Sequence, residues 1–259
     1  GDFKTDYKNT WTSHGTHQMN STEKLAFDEA REQMRIEQEK AKALKHAETA
    51  KIARDIWLNA PDATDDHGYL KIKGVRSCQG LKIAKDGNLI IPAAIDGQIS
   101  TLQFIKPDGE FFIKGEPIGN KKFLSGGKSK GAWFLIEGDK DIIYIVEGYA
   151  TGKSIHQAIH KTVYIAFNAG NIYEVSSFVK SIYPDSQIII AGDDDTNTAG
   201  NVGRTKAEQA AQDLNIECIF PAGYVDFNDL HKAEGLEAVK YQIEKCYSDY
   251  WLDPEEIEP

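Results

Sequence analysis

The chain has 259 residues, 41% of them hydrophobic and 27% charged, with a formal net charge of −10. That length suits one large domain or two small ones with a sizeable core, and the acidic total taken alone argues against nucleic-acid binding. No apolar run approaches the ~20 residues that cross a bilayer, and GDFKTDYKNTW at the start is no signal peptide. Cys78, Cys218 and Cys246 form no CxxC pair, which argues against a zinc ribbon or a disulfide framework. The chain therefore reads as cytoplasmic, and a first residue of Gly rather than Met reads as a piece of a longer protein.

The total charge hides a division. Residues 1–67 carry 10 cations and 13 carboxylates, residues 68–131 carry 11 and 5, and residues 132–259 carry 9 and 22. A basic middle lies inside an acidic chain.

Residues 1–20 form a polar tail in which His14 and His17 are solvated rather than metal ligands. The segment 21–66 is helical, with Leu25, Ala26, Ala30, Met34, Ala41, Leu44, Ile52 and Ile56 near one face. That thin, alanine-rich stripe predicts one packed face, or contact with a missing domain. Pro61 and the acids Asp62, Asp65 and Asp66 end it. Residues 67–138 alternate between apolar and polar, with turn signals at Asp86-Gly87, Asp96-Gly97 and Asp108-Gly109, so a small antiparallel or mixed β unit is expected. It closes in the Gly-rich loop KKFLSGGKSKG.

Residues 139–250 change pattern. DIIYIVEG, TVYIAFNAG, SQIIIAGDDD and IECIFPAG read as buried strands, separated by helices near 151–160, 173–182 and 204–214, with a last helix through about Cys246. Apolar strands alternating with helices predict an α/β fold with a parallel sheet flanked by helices, in which ligands bind at the carboxyl ends of strands. Residues 251–259 are an acidic tail.

The acids cluster at that edge: Glu147 after the first strand, Asp193 and Asp195 after the third, Asp226 and Asp229 after the fourth. Oxygen-only sets of this kind suit Mg²⁺ or Mn²⁺. The bland reading of each acid is a helix N-cap. Two lookalikes fail on spacing. EGYATGKS has three residues between Gly148 and Gly152 where a P-loop needs four, and DDDTNTAG has Thr198 where a calcium loop needs Gly.

A strand ending in EGxxT, then one ending in DxD, then a further acidic motif, resembles the Toprim fold of bacterial-type primases, topoisomerases and some nucleases. VEGYATGKSIHQA, AFNAGN, IIIAGDDDTNTAGNVGRTKAEQAA and VDFNDLH, with the upstream YLKIKGV, GNLIIPAAIDGQISTLQFIKPDGEFFIKG and KKFLSGGKSKGAWFLIEG, resemble the primases of plasmids and phages. The resemblance covers about residues 67–245. It implies a Toprim-like domain over 139–250 preceded by the basic part of a primase core. It implies Glu147, Asp193 and Asp195 as catalytic groups, these with Asp226 and Asp229 as holders of Mg²⁺ or Mn²⁺, and short RNA primers made on single-stranded DNA from ribonucleoside triphosphates. Lys121, Lys122, Lys128 and Lys130 are expected to follow a nucleic-acid backbone, with Phe123 and Trp133 as stacking candidates or buried aromatics. Lys153, which departs from the usual EGxATA pattern, and Arg204 and Lys206 are candidate phosphate or template contacts, or simply helix surface. A zinc-binding domain and a replicative helicase are expected outside this chain or on partners, and no membrane is. The alternatives are a Toprim nuclease using the same acids, and a non-catalytic nucleic-acid-binding replication module.

Overall fold

The computed structural model describes residues 21–194 and 200–251; the polar tail 1–20, Asp195 and the end from residue 252 lie outside the described residues. The chain divides after Leu44 into two units. The described part of the first is the beginning of helix α1 (Ser21–Asn59), where Leu25, Phe27, Met34 and Leu44 are all exposed. In the second unit the rest of α1 packs through Ala53, Ile56 and Trp57 against Ile90 and Leu102, and Trp57 Nε1 donates to the Gly80 carbonyl at 2.7 Å. Of the predicted stripe, Ile56 lies on this packed face while Ile52 is exposed. A 3.6-residue period fits several stripes on so polar a helix, and the contact of Trp57 selects one rotated from the alanine-rich stripe.

The His67 side chain accepts from the Tyr69 N–H and starts the short helix α2 (Gly68–Lys73), and Gly74 ends it at φ 66°. Strands β1 (Lys82–Ile83), β2 (Leu89–Ile95) and β3 (Gln98–Ile105) follow. Asp96-Gly97 joins β2 to β3 with φ of 50° and 73°, the paired positive values of a type I′ turn. Asp108-Gly109 joins no such pair. The next two strands, β4 (Phe112–Ile113) and β5 (Glu116–Pro117), pair instead around Lys114-Gly115, at φ 52° and 87°. No Asn or Asp marks that turn, so its composition is silent. Strand β6 (Lys121–Phe123) pairs with β3 and completes an antiparallel sheet of order β1-β2-β3-β6. Lys121 and Lys122 thus stand on a strand rather than in the expected loop.

The second sheet is built from β7 (Phe134–Ile136), β8 (Asp139–Val146), β9 (Lys161–Ile165), β10 (Gln187–Ala191) and β11 (Glu217–Ile219), in the order β11-β10-β8-β9-β7. Strands β8 to β11 run parallel, as their apolar character predicts, and β7 pairs antiparallel with β9. Helices α3 (Tyr149–Ile159), α6 (Phe227–Glu234) and α7 (Leu236–Trp251) share one core with Tyr144, Val146, Val163 and Ile189. Helices α4 (Ile172–Ile182) and α5 (Val202–Leu214) share the other with Ile143, Ile145, Ile188 and Ile190. Alternate residues of each strand feed opposite faces, which is the two-residue period of a sheet covered on both sides. The first core also takes in Tyr69, Leu70, Leu89, Ile91 and Ile105, so the two sheets share one interior. No described helix is long and apolar enough to cross a membrane.

Candidate active site

From β8 the chain crosses to β9 on one side, then returns over β8 to β10 on the other. The carboxyl ends of β8 and β10 therefore border the switch point where sheets of this kind bind ligands. Glu147 directly follows β8 and Asp193 follows β10 by two residues, while Ile145 and Ile190 are register partners. Helix α5 closes in on both acids. A Cβ added at Gly203 would stand 3.0 Å from Glu147 Oε1 and 3.4 Å from the Asp193 Cβ, so glycine is what allows that approach.

The third acid arrives on α6. Asp226 is its N-cap, with Oδ1 accepting from the Asn228 and Asp229 N–H groups at 2.7 and 2.8 Å. The Asp194 N–H donates to the Val225 carbonyl at 2.7 Å and ties the end of β10 to this cap. Glu147, Asp193 and Asp226 line a pocket of about 130 Å³ together with Tyr69, Lys73 and Lys121.

The electrostatics follow from burial. Loss of solvent, then repulsion from Glu147 and Asp226, pushes the Asp193 carboxyl up to about 8, against a pull from Lys121. Burial likewise raises Glu147, partly offset by the Ala169 N–H and Lys121. Lys121 is exposed as a residue, yet the crowding around its ammonium and the nearby Lys73 lower its pKa, opposed by the three carboxylates. Glu147 Oε1 and Asp193 Oδ1 are buried without a hydrogen-bond partner. Buried, unpartnered carboxylate oxygens that repel each other fit a hard divalent cation, which would supply the missing partner. Among the described residues, no three His, Cys, Asp or Glu side chains yet form a metal-binding group. Asp195, the remaining member of the DxD, lies outside them.

Comparison with known proteins identifies the domain that carries this pocket. The family model of the Toprim domain matches residues 142–237. Two proteins of Escherichia coli, each named DNA primase TraC, are 30% identical over 233 residues and 32% identical over 188 residues, covering 84% and 68% of this chain. The chain carries a Toprim domain and is homologous to DNA primase TraC. It spans only 15% and 17% of the length of those two relatives. The Aquifex aeolicus primase (zinc-binding and RNA polymerase domains) has the same fold, with a TM-score of 0.50 at 13% identity, over 78% of this chain and 60% of that one.

Around this Toprim pocket the other sequence candidates separate. Asp229, in the first turn of α6, acts on Asp193 through its charge but does not line the pocket. Lys122 and Lys128 are exposed, while exposed Lys130 pairs with Glu174 at 2.8 Å. Lys153 is neither helix surface nor pocket wall. It is buried on α3, its pKa lowered by burial, near Cys78, Asp65 and Arg76. Arg204 is engaged internally, donating to Asp194 and Glu208 at 2.8 Å each and lying 4.3 Å from the Phe220 ring centroid. Lys206 is exposed on α5. Trp133, partly buried, stacks on Phe178 and meets Tyr164 edge-on against the core, and Phe123, also partly buried, meets Phe167.

Sequence reasoning missed Tyr69, Lys73, Asp194 and Asn228. The fully buried Asn228 donates to the Lys73 carbonyl at 2.7 Å and to Ser154 Oγ at 3.0 Å, joining α6 to α2 and α3. A buried Asn beside an acidic cap in DFNDLH is the signal that was available. Nothing local marks Lys73, because its role depends on a contact between residues 155 positions apart.

Proposed function

We propose that this chain is the catalytic core of a DNA primase, which makes short RNA primers on single-stranded DNA in plasmid or phage replication. The observation that supports this best is one pocket lined by Glu147, Asp193 and Asp226 together with Lys73 and Lys121, in which a buried oxygen of Glu147 and one of Asp193 lack a partner. Acids and bases lining one crevice suit a substrate that carries both phosphates and a reacting hydroxyl.

Glu147, Asp193 and Asp226 would hold Mg²⁺ or Mn²⁺, with Asp195 and Asp229 completing the set. Once bound, the cation supplies charge stabilisation at the α-phosphate and the leaving pyrophosphate. Lys73 and Lys121, which line the same pocket, bind the triphosphate. Glu147 would either contact that cation or take the proton released by the primer 3′-hydroxyl as the new P–O bond forms and the bond to pyrophosphate breaks. Asp226 fixes the pocket wall by capping α6, and Asn228 keeps the end of α2 in place. The basic residues 68–131 hold the template, and a replicative helicase delivers it.

A template-directed assay with ribonucleotides, single-stranded DNA and Mg²⁺ or Mn²⁺ tests this, run beside a nuclease assay. Primer synthesis abolished by Glu147→Gln and Asp193→Asn is expected. Metal-dependent cleavage without synthesis would assign the pocket to a Toprim nuclease instead.

A further inference from the structure

Large apolar side chains on the β4–β5 hairpin coincide with cations, on it and at its root, that make no ion pair among the described residues. Phe112 and Ile113 are 63% and 58% exposed, and Ile118 is exposed as well. The hairpin is rooted in the sheet. The Lys106 N–H donates to the Asn120 carbonyl, the Phe111 N–H to that of Gly119 and the Ile118 N–H to that of Phe111, at 2.8–3.0 Å. Phe111 itself is buried. A two-stranded ribbon with both faces in water is marginal alone, so exposed Phe and Ile at its end call for an occupant.

The charges say which kind. Two ammonium groups sit over the single Phe111 ring, Lys122 Nζ at 4.2 Å and Lys106 Nζ at 5.2 Å from its centroid. The ring offers each a weak attraction, but the like charges repel and, among the described residues, neither makes an ion pair. Lys114 adds a cation at the turn that has no ion pair among the described residues, and β6 continues directly from this root to Lys121 in the acidic pocket. A flexible polyanion with apolar faces satisfies both features.

We propose that the β4–β5 hairpin, with Lys106, Lys114 and Lys122, is a docking surface for single-stranded nucleic acid. Phe112 and Ile113 contact bases and the lysines contact phosphates, on a strand that continues to the Toprim pocket. The inference rests on the nucleotidyl-transfer reading for that strand's destination, but its test needs no catalysis.

Binding of a fluorescein-labelled oligothymidylate is measured by anisotropy in EDTA over a range of salt concentrations. The pair Phe112→Ser/Ile113→Ser is expected to weaken binding roughly tenfold, as loss of one base contact does. The pair Lys106→Gln/Lys114→Gln is expected to reduce the slope of log affinity against log salt by about 1.4, since each single-strand phosphate contact contributes about 0.7. Thermal melting checks that both variants remain folded. Parent-like affinity and slope in both variants would overturn the hairpin proposal alone. So would intact binding with a changed oligomeric state, which would make a second copy of this chain the occupant. A parent that binds in this way yet synthesises nothing would count against the primase reading and leave the hairpin standing.

Discussion

Replacing Asp193 by Asn should make the metal-free protein more stable, by an amount that is near zero at pH 4 and grows as the pH rises towards 8. Asn mimics the protonated acid, while the parent must either bind a proton or bury a charge. The folded carboxyl lies at about 8 against an ordinary value of 3.8. A raised folded pKa favours the fold at low pH, and that advantage is lost as pH rises from about 4 to about 8. At pH 7 the full shift corresponds to about 4 kcal/mol, an upper bound, because residual solvent screens the site. About half of that, roughly 2 kcal/mol, corresponds to a Tm gain of about 4–8 °C for a chain of this size. Thermal unfolding of parent and variant in EDTA from pH 4 to pH 8.5 checks it. The Tm difference should be near zero at pH 4 and grow across the window. Mn²⁺ should then raise the parent's Tm more than the variant's. A difference independent of pH, or a parent that is the more stable of the two in EDTA at pH 8.5, would refute the account of a buried, mutually repelling acid cluster.

Asp226→Ala should cost about 1–2 kcal/mol in urea unfolding through loss of the α6 cap, while Asp226→Asn should retain most of that stability and still weaken Mn²⁺ binding. Gly203→Ala adds a methyl 3.0 Å from Glu147 Oε1 without positive-φ strain, so the expected result is a folded protein with Mn²⁺ affinity reduced severalfold by calorimetry. Gly152→Ala should destabilise by about 1–3 kcal/mol, because the added carbon would lie 2.9 Å from Val146 Cγ2 and 3.0 Å from Val163 Cγ1. Asn228→Ala, at a buried position that holds the Lys73 carbonyl and Ser154, should cost about 2 kcal/mol by denaturant unfolding.

The parallel sheet and the acids at its edge were legible because each depends on local pattern. Continuous apolar strands declare burial on both faces, and Glu147 and Asp193 stand where those strands end. Asp226 shows why a structural and a functional reading need not compete, since the same carboxylate caps α6 and lines the pocket. What escaped depends on long-range contact. Lys73 reaches the pocket because Asn228 anchors the end of α2, and Arg204 looks available in sequence but is held by Asp194 and Glu208. The packed face of α1 was legible only at Ile56, because Trp57 finds its partner in the carbonyl of Gly80, beyond the reach of helical periodicity.

The antiparallel pairing of β7 with β9 decides where this sheet can be cut without exposing an edge. Residues 134–136 precede the first parallel strand, yet they cover the outer hydrogen-bonding edge of β9 through Val163, Tyr164 and Ile165. A Toprim sheet cut free at residue 139 would present that edge to any passing strand, and an open apolar edge is a template for aggregation. The smallest piece of chain that covers this edge therefore starts at residue 134 or earlier, upstream of the residues 142–237 that match the Toprim model.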